Sequence, residues 1–425
     1  VCSLEKAAGI DRSLGNMFLK CFGLRKPREQ RAGAASSRQV RKCDLDASMQ
    51  RASGEAKPWD RSRFVHIRDI QNAVRNYGKV QLMGDPVRRG RFVAVKRMPK
   101  GWMLSAPEQF DALHPGASEK PWVDVGIVRL LAGLDFPYVC RLYGVFWHKE
   151  DMLVATSFCP DGDLFEWCFR GTVPAPGIER EAHMRPIIAQ LLTAVQLLHD
   201  LGIAHRDLSL ENVLLVDADA EVKVKLIDFG MATVQRKVRN ELRGKASYQA
   251  PELHNGGTID TFLADDFALG VILFAMAVQD YPWACTQRGK CRVFDYMAMS
   301  GLRRLLSKRP VRNGLCGELL SEVISSDYVD ILETLLKVQP RQRGCLGEAV
   351  FSGEVMHRRR PSIWDMNYLR GTEACLPLPP VRIPQPISVC VDGKSASSCG
   401  STCSHCSGGS SSPSEMSSIG DFLKV

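Results

Sequence analysis

Several things are scarce in this 425-residue chain, and each scarcity excludes something. The longest apolar run, ALGVILFAMAV from Ala268, falls short of the roughly 20 residues a spanning helix needs and suits a buried one. No apolar leader opens the sequence, and its fifteen cysteines are odd in number and without regular spacing. A secreted disulfide framework is therefore not expected; reduced thiols in the cytosol or nucleus are. No internal repeat is visible. Acids are few around Arg25, Lys26, Arg28, Arg31, Arg38, Arg41 and Lys42, and the net charge is +9. Such a run suits an anionic partner or a solvated arm; the reading taken is an arm, with no nucleic-acid partner and no membrane span.

What is present is a globular composition, 45% hydrophobic and 24% charged, enough to bury a core. Residues 1–62 read as a basic arm with one short helical stretch, LGNMFLKCFGL. Residues 374–425 read as a tail in which LPLPPVRIPQP favours polyproline geometry and SASSCGSTCSHCSGGSSSPS is low-complexity. The CGSTCSHC cluster holds four soft ligands, but its spacing matches no compact zinc knuckle, and it is read as part of the tail. Either tail is a place for protein partners that the sequence does not name. Between them, 63–373 forms one unit. Its first part carries β-like runs, GRFVAVKRM and MLVATSF, around one helical stretch, WVDVGIVRLLAGL. Its second part is helical, with MRPIIAQLLTAVQLLHDLG and DYVDILETLLKV in helical periodicity, and EVKVKLIDFG alternates as a strand ending in a turn. The expectation is an α+β protein with a small sheet-rich lobe, a larger helical lobe and a cleft between them.

Four chemical groups occur in a telling order. VAVK ends at Lys96, HRD ends at Asp207, Asn212 follows, and DFG begins at Asp228; APE then occupies 250–252. A lysine on a strand, a carboxylate base, an amide and a second carboxylate are what phosphoryl transfer requires: phosphate charge neutralised, Mg²⁺ held, a hydroxyl aimed. Each triplet alone is weak; five in this order, with strands before Lys96 and Asp228, are not.

On these motifs the segment 63–373 resembles a eukaryotic protein kinase of the serine/threonine type, bilobal, using ATP and Mg²⁺ on protein substrates. The resemblance implies that Asp207 is the catalytic base, that Asn212 and Asp228 bind Mg²⁺, and that Lys96 grips the α- and β-phosphates. It places Gly78, Val80 and Ala94 around the nucleotide, with Thr156 as gatekeeper. Ser157 to Cys159 offer backbone hydrogen bonds to adenine, and Asp163 lies near the ribose. It makes Asp265 the acid that pins the catalytic loop and Glu252–Arg343 a buried brace, while His205 and Phe229 pack. HRDLSLEN has the serine/threonine form except at Ser209 and lacks the arginine typical of tyrosine kinases.

The departures are as informative. Ala73 and Arg75 stand where glycines of the phosphate loop are expected, leaving Gly78 and Val80. Arg75 has two open readings: a guanidinium replacing backbone donors, or a side chain in solvent. The helix position that usually carries glutamate is Ile127, and Asp124, one turn earlier on the same face, is the candidate partner for Lys96. Ser209 occupies the slot of a lysine, and Lys245, in GKASYQAPE, the slot of a threonine, as if the two were exchanged. Ser209 and Lys245 are thus candidate catalytic residues, Lys245 supplying transition-state charge, against the plainer reading of one more base in a basic loop. No Ser, Thr or Tyr lies between Val234 and Ala246, and Glu241 holds the slot of a phosphothreonine. Its permanent charge beside Arg206 implies activity without loop phosphorylation; a surface glutamate is the alternative. A scaffold that keeps the kinase fold without transfer is the rival reading of the whole.

Overall fold

The computed structural model describes residues 39–370, apart from 74–76, 88–89, 104–106, 171–172, 219–220, 313–316 and 353–354. The reading of Arg75, the helix expected at LGNMFLKCFGL, the CGSTCSHC cluster and the tail from 374 all lie outside the described residues.

Helix α1 (Lys42–Gly54) and strand β1 (Lys57–Pro58) come first, then β2 (Val65–Ala73), β3 (Gly78–Asp85) and β4 (Arg91–Pro99). Helices α2 (Pro107–Leu113) and α3 (Pro121–Gly133) precede β5 (Leu142–His148) and β6 (Asp151–Ser157). The six strands form one sheet in the order β1-β5-β6-β4-β3-β2, all neighbours antiparallel except β1 with β5. In β4 the pleat sorts the residues by face. Val93 and Val95 are fully buried against Phe64, Met83, Phe146, Leu153 and Ala155, while Ala94 and Lys96 face the other way and are only partly covered.

The second lobe is built on α4 (Leu164–Arg170), α5 (Ile178–Asp200), the hairpin β7 (Val213–Ala218) and β8 (Glu221–Leu226), the pair β9 (Lys237–Arg239) and β10 (Thr258–Asp260), and α6 (Thr261–Val278). Helices α7 (Arg292–Ser300), α8 (Leu302–Leu306), α9 (Leu320–Val323) and α10 (Ser326–Leu335) and the hairpin β11 (Ala349–Ser352)–β12 (Val355–Arg358) complete it. By length and composition α6 could cross a membrane, with mean hydropathy 1.9, but 94% of it is buried inside the lobe. Asp260 caps it, its side chain accepting from Phe262 N–H. Glu252 and Arg343 form the expected brace, two parallel bonds of 2.7 and 2.9 Å with the guanidinium fully buried.

The boundary expected at residue 63 does not match the packing. Residues 42–54 are not a solvated arm: Leu45, Met49 and Ala52 of α1 are buried against α3, at the i, i+4, i+7 spacing of one helix face. Val40 N–H donates to Leu201 O beyond α5, and Trp59 packs on Phe64 and Phe146. Three apolar side chains in a basic, serine- and alanine-rich stretch are a weak periodic signal, and their burial comes from what α3 presents to them.

Candidate active site

Several of the residues singled out from the sequence lie in contact with one another where the two lobes meet. Ala94 on β4 pairs across the sheet with Thr156 on β6 and with Leu82 on β3, and Lys96 pairs with Val80. Val80, Ala94, Lys96 and Thr156 thus share one stretch of sheet. Gly78 stands at the start of β3, where an added Cβ would meet Arg97 O at 2.0 Å. Close approach of β4 already demands glycine there. At the interlobe hinge the Ser157 N–H is engaged, donating to Arg141 O at 2.9 Å. Cys159 is buried, its thiol 3.6 Å from that of Cys140. Asp163 caps α4, accepting from Glu166 N–H at 2.8 Å. Its carboxyl is pushed up by burial and by the charges of Glu211 and Glu166, against that capping bond.

Lys96 points into a group of carboxylates. Its Nζ lies 3.4 Å from Asp124 Oδ2 and 3.7 Å from Asp228 Oδ1. Burial opposes its charge, but Asp228, then Asp124 and Glu119, outweigh burial and push the ammonium above its ordinary pKa. Asp124 is pulled both ways: burial and the Asp228 charge push its carboxyl up, while Lys96 and the Phe229 N–H, which donates to Oδ1 at 3.0 Å, hold it down. Ile127 is fully buried in the core. Glu119, just before α3, is an acidic neighbour that no sequence motif singles out; Lys120 N–H donating to Gly230 O brings that corner onto the DFG turn.

The catalytic loop is held by backbone bonds. Asp265 accepts from His205 N–H and Arg206 N–H, both at 2.8 Å, and pairs with His199 Nε2 at 3.1 Å. Arg206 adopts φ 67° and Asp228 φ 63°, left-handed conformations unusual outside glycine. Asn212 Nδ2 donates to the Asp207 carbonyl at 2.7 Å and lies 3.4 Å from its Oδ2. With that nitrogen engaged, the amide oxygen is the ligand Asn212 can present.

Ser209 and Lys245 meet. Lys245 Nζ donates to the fully buried Ser209 Oγ at 2.9 Å and pairs with Glu211 Oε2 at 2.9 Å. The lysine side chain is 28% exposed, so it does not stand in bulk solvent. Gly244 beside it has φ +83°, and an added Cβ would lie 3.5 Å from Asp207 Oδ1, which brings this loop onto Asp207. On the same segment Arg206 Nη1 donates to Glu241 Oε2 at 2.7 Å, with Arg243 Nε 3.6 Å away. Burial works against the Glu241 charge, but Arg206 and then Arg243 overcome it and lower its pKa.

The donor set suits a hard cation. Asp228 offers a carboxylate and Asn212 an amide oxygen, the kind of oxygen pair Mg²⁺ accepts while keeping water and phosphate ligands. Among the described residues, here or elsewhere, no group of three or more His, Cys, Asp or Glu is placed to hold a metal by protein side chains alone.

The family model described as protein kinase domain matches residues 76–352. The chain belongs to the protein kinase family. Among its relatives is human NUAK family SNF1-like kinase 1, 25% identical over 354 residues covering 82% of this chain. Serine/threonine-protein kinase GIN4 of Saccharomyces cerevisiae is 31% identical over 300 residues, 69% of this chain. CBL-interacting protein kinase 17 of Oryza sativa is 27% identical over 275 residues, 60% of this chain. The alignments span 46%, 24% and 56% of those proteins' own lengths. Helix α1 and strand β2 of this kinase precede the matched span.

Proposed function

We propose that this kinase transfers the γ-phosphoryl group of ATP to serine or threonine hydroxyls of protein substrates, with its activation segment ordered by Glu241 in place of a phosphate. The observation that carries the reading is the 2.9 Å contact of Lys245 Nζ with Ser209 Oγ beside Asp207. The positive charge that the catalytic loop lacks is supplied by the facing loop that carries Lys245.

Asp207 orients the acceptor hydroxyl and takes its proton. Lys96, held between Asp124 and Asp228, binds the α- and β-phosphates. Asn212 and Asp228 would hold Mg²⁺, which when bound neutralises phosphate charge. Lys245 stabilises the charge that builds on the moving phosphoryl oxygens, and Ser209 fixes the lysine's direction. Val80, Ala94 and Thr156 wall the adenine pocket, the Ser157 carbonyl and Cys159 backbone recognise the base, and Asp163 reaches the ribose. Arg206 draws the segment carrying Glu241 onto the catalytic loop, so no added phosphate is required.

A scaffold without transfer is the second reading. It is favoured by the Lys245–Glu211 pair, which offsets the charge assigned to catalysis, and by Ala73 in the first glycine slot. Incubating the protein with γ-labelled ATP, Mg²⁺ and an array of serine, threonine and tyrosine peptides separates the two. Label on serine and threonine peptides is expected. Nucleotide-induced thermal stabilisation with no label on any peptide supports the scaffold instead.

A further inference from the structure

Aspartate is one methylene shorter than the glutamate whose place Asp124 takes, so α3 must stand closer to the sheet for the pair with Lys96 to form. Something has to hold it there. On α3, Asp124 and Gly126 are two residues apart and therefore about 200° apart around the helix. Asp124 faces Lys96, and Gly126 faces the opposite way, onto α1. Gly126 forms a notch: a Cβ there would meet Met49 Cγ at 2.5 Å and Leu45 Cδ1 at 3.2 Å. The two helices are tied by Ser48 Oγ donating to Gly126 O at 2.8 Å and by Arg129 pairing with Glu55 at 2.6 Å. The strap is fastened at both ends, to Leu201 O by Val40 and to β5 by β1.

We propose that α1 is a built-in clamp on the back of α3, in which Leu45 and Met49, seated against Gly126, set the distance at which Asp124 reaches Lys96. Leu45 and Met49 are positioning residues: they touch neither nucleotide nor substrate and act through Asp124. The glycine notch lets α1 approach closely, and the pressure it transmits compensates for the shorter acid. The inference rests on Lys96–Asp124 being the anchor of the nucleotide-binding lysine.

The test is a Leu45→Ala/Met49→Ala variant of the full chain, alone and combined with Asp124→Glu. With the clamp loosened, α3 drifts outward. Catalytic efficiency with ATP should fall between about tenfold and about a hundredfold, the range for a displacement of up to about 1 Å. Amide exchange across 227–231 should quicken, because Phe229 N–H loses Asp124 as acceptor. Adding Asp124→Glu should restore both in the loosened protein while impairing the intact one, a reversal of sign that a merely stabilising helix does not produce. If the double variant fails to fold, Met49→Ala alone carries the same test, since Leu45 still seats the helix. Unchanged exchange at 227–231, or a failure of Asp124→Glu to restore it, overturns the clamp. Because exchange needs neither ATP nor turnover, that outcome is separate from the functional reading, which fails if wild-type protein transfers no phosphate.

Discussion

Replacing Lys245 with methionine removes the ammonium while keeping an unbranched chain to cover Ser209. The loss of one preorganised charged donor from a dry site costs about 10²–10³ in turnover. Here two features reduce it: the side chain is 28% exposed, and Glu211 at 2.9 Å already takes up part of the charge. The expected loss is therefore about tenfold to about a hundredfold in kcat, or about 1.4–2.7 kcal/mol. KM for ATP should hardly move, because the α- and β-phosphates are assigned to Lys96. The assay is steady-state transfer from ATP to a fixed serine peptide, with thermal unfolding run alongside to exclude a misfolded variant. The exchange Ser209→Lys with Lys245→Thr puts the charge back on the catalytic loop and should recover most of the lost rate. An unaltered kcat in Lys245→Met would rule out a catalytic charge at this position. So would a loss that parallels a fall in melting temperature, since the lysine would then be structural.

Further outcomes follow from three other charged groups of the second lobe. Glu241→Ala leaves the largely buried Arg206 facing Arg243 without its acid, and activity of unphosphorylated protein should drop about fivefold, the effect of about 1 kcal/mol from a half-open pair. The wild-type contribution, since the Glu241 pKa is lowered, is present at neutral pH and fades as pH falls below the ordinary glutamate range; steady-state rates of the two proteins should converge there. Glu252→Ala strands a fully buried guanidinium and should cost about 3–5 kcal/mol in chemical denaturation, with a smaller loss indicating that Arg343 finds another acceptor. Asp266 is fully buried, and among the described residues neither of its carboxylate oxygens has a hydrogen-bond partner. Burial pushes its pKa well above the usual value, so it favours the folded state at low pH and loses that contribution as pH rises through its folded pKa. Asp266→Asn should therefore gain melting temperature relative to wild type on going from pH 5 to pH 8; a constant difference would mean the acid is not neutral in the fold.

The order of motifs made the bilobal architecture and most of the cleft legible, because each motif is short and local in sequence. Lys96, Asp207, Asn212 and Asp228 depend on strands and turns that their own neighbours encode, such as the alternation in GRFVAVKRM and EVKVKLIDFG. The contact between Ser209 and Lys245 was legible as a paired departure, each residue standing in the other's usual slot. What did not show was set by packing between distant segments. Helix α1 has only Leu45, Met49 and Ala52 on its apolar face, and their burial depends on a glycine more than seventy residues away. The glycine at 78 looked like a phosphate-loop feature, yet the Arg97 carbonyl is reason enough for it. Glu119 near Lys96 and Glu211 on Lys245 were invisible for the same reason: electrostatic neighbours come from the fold, and no spacing rule places them.

Whether this cleft performs phosphoryl transfer is decided by the rate at which purified, phosphatase-treated protein moves the terminal phosphate of ATP to a serine peptide, compared with its Asp207→Asn counterpart. Clear transfer by the first and none above background by the second are expected, with both melting at the same temperature and both stabilised by ATP and Mg²⁺. Equal rates from the two proteins, or no transfer from either, would show that Asp207 and its neighbours do not carry the reaction.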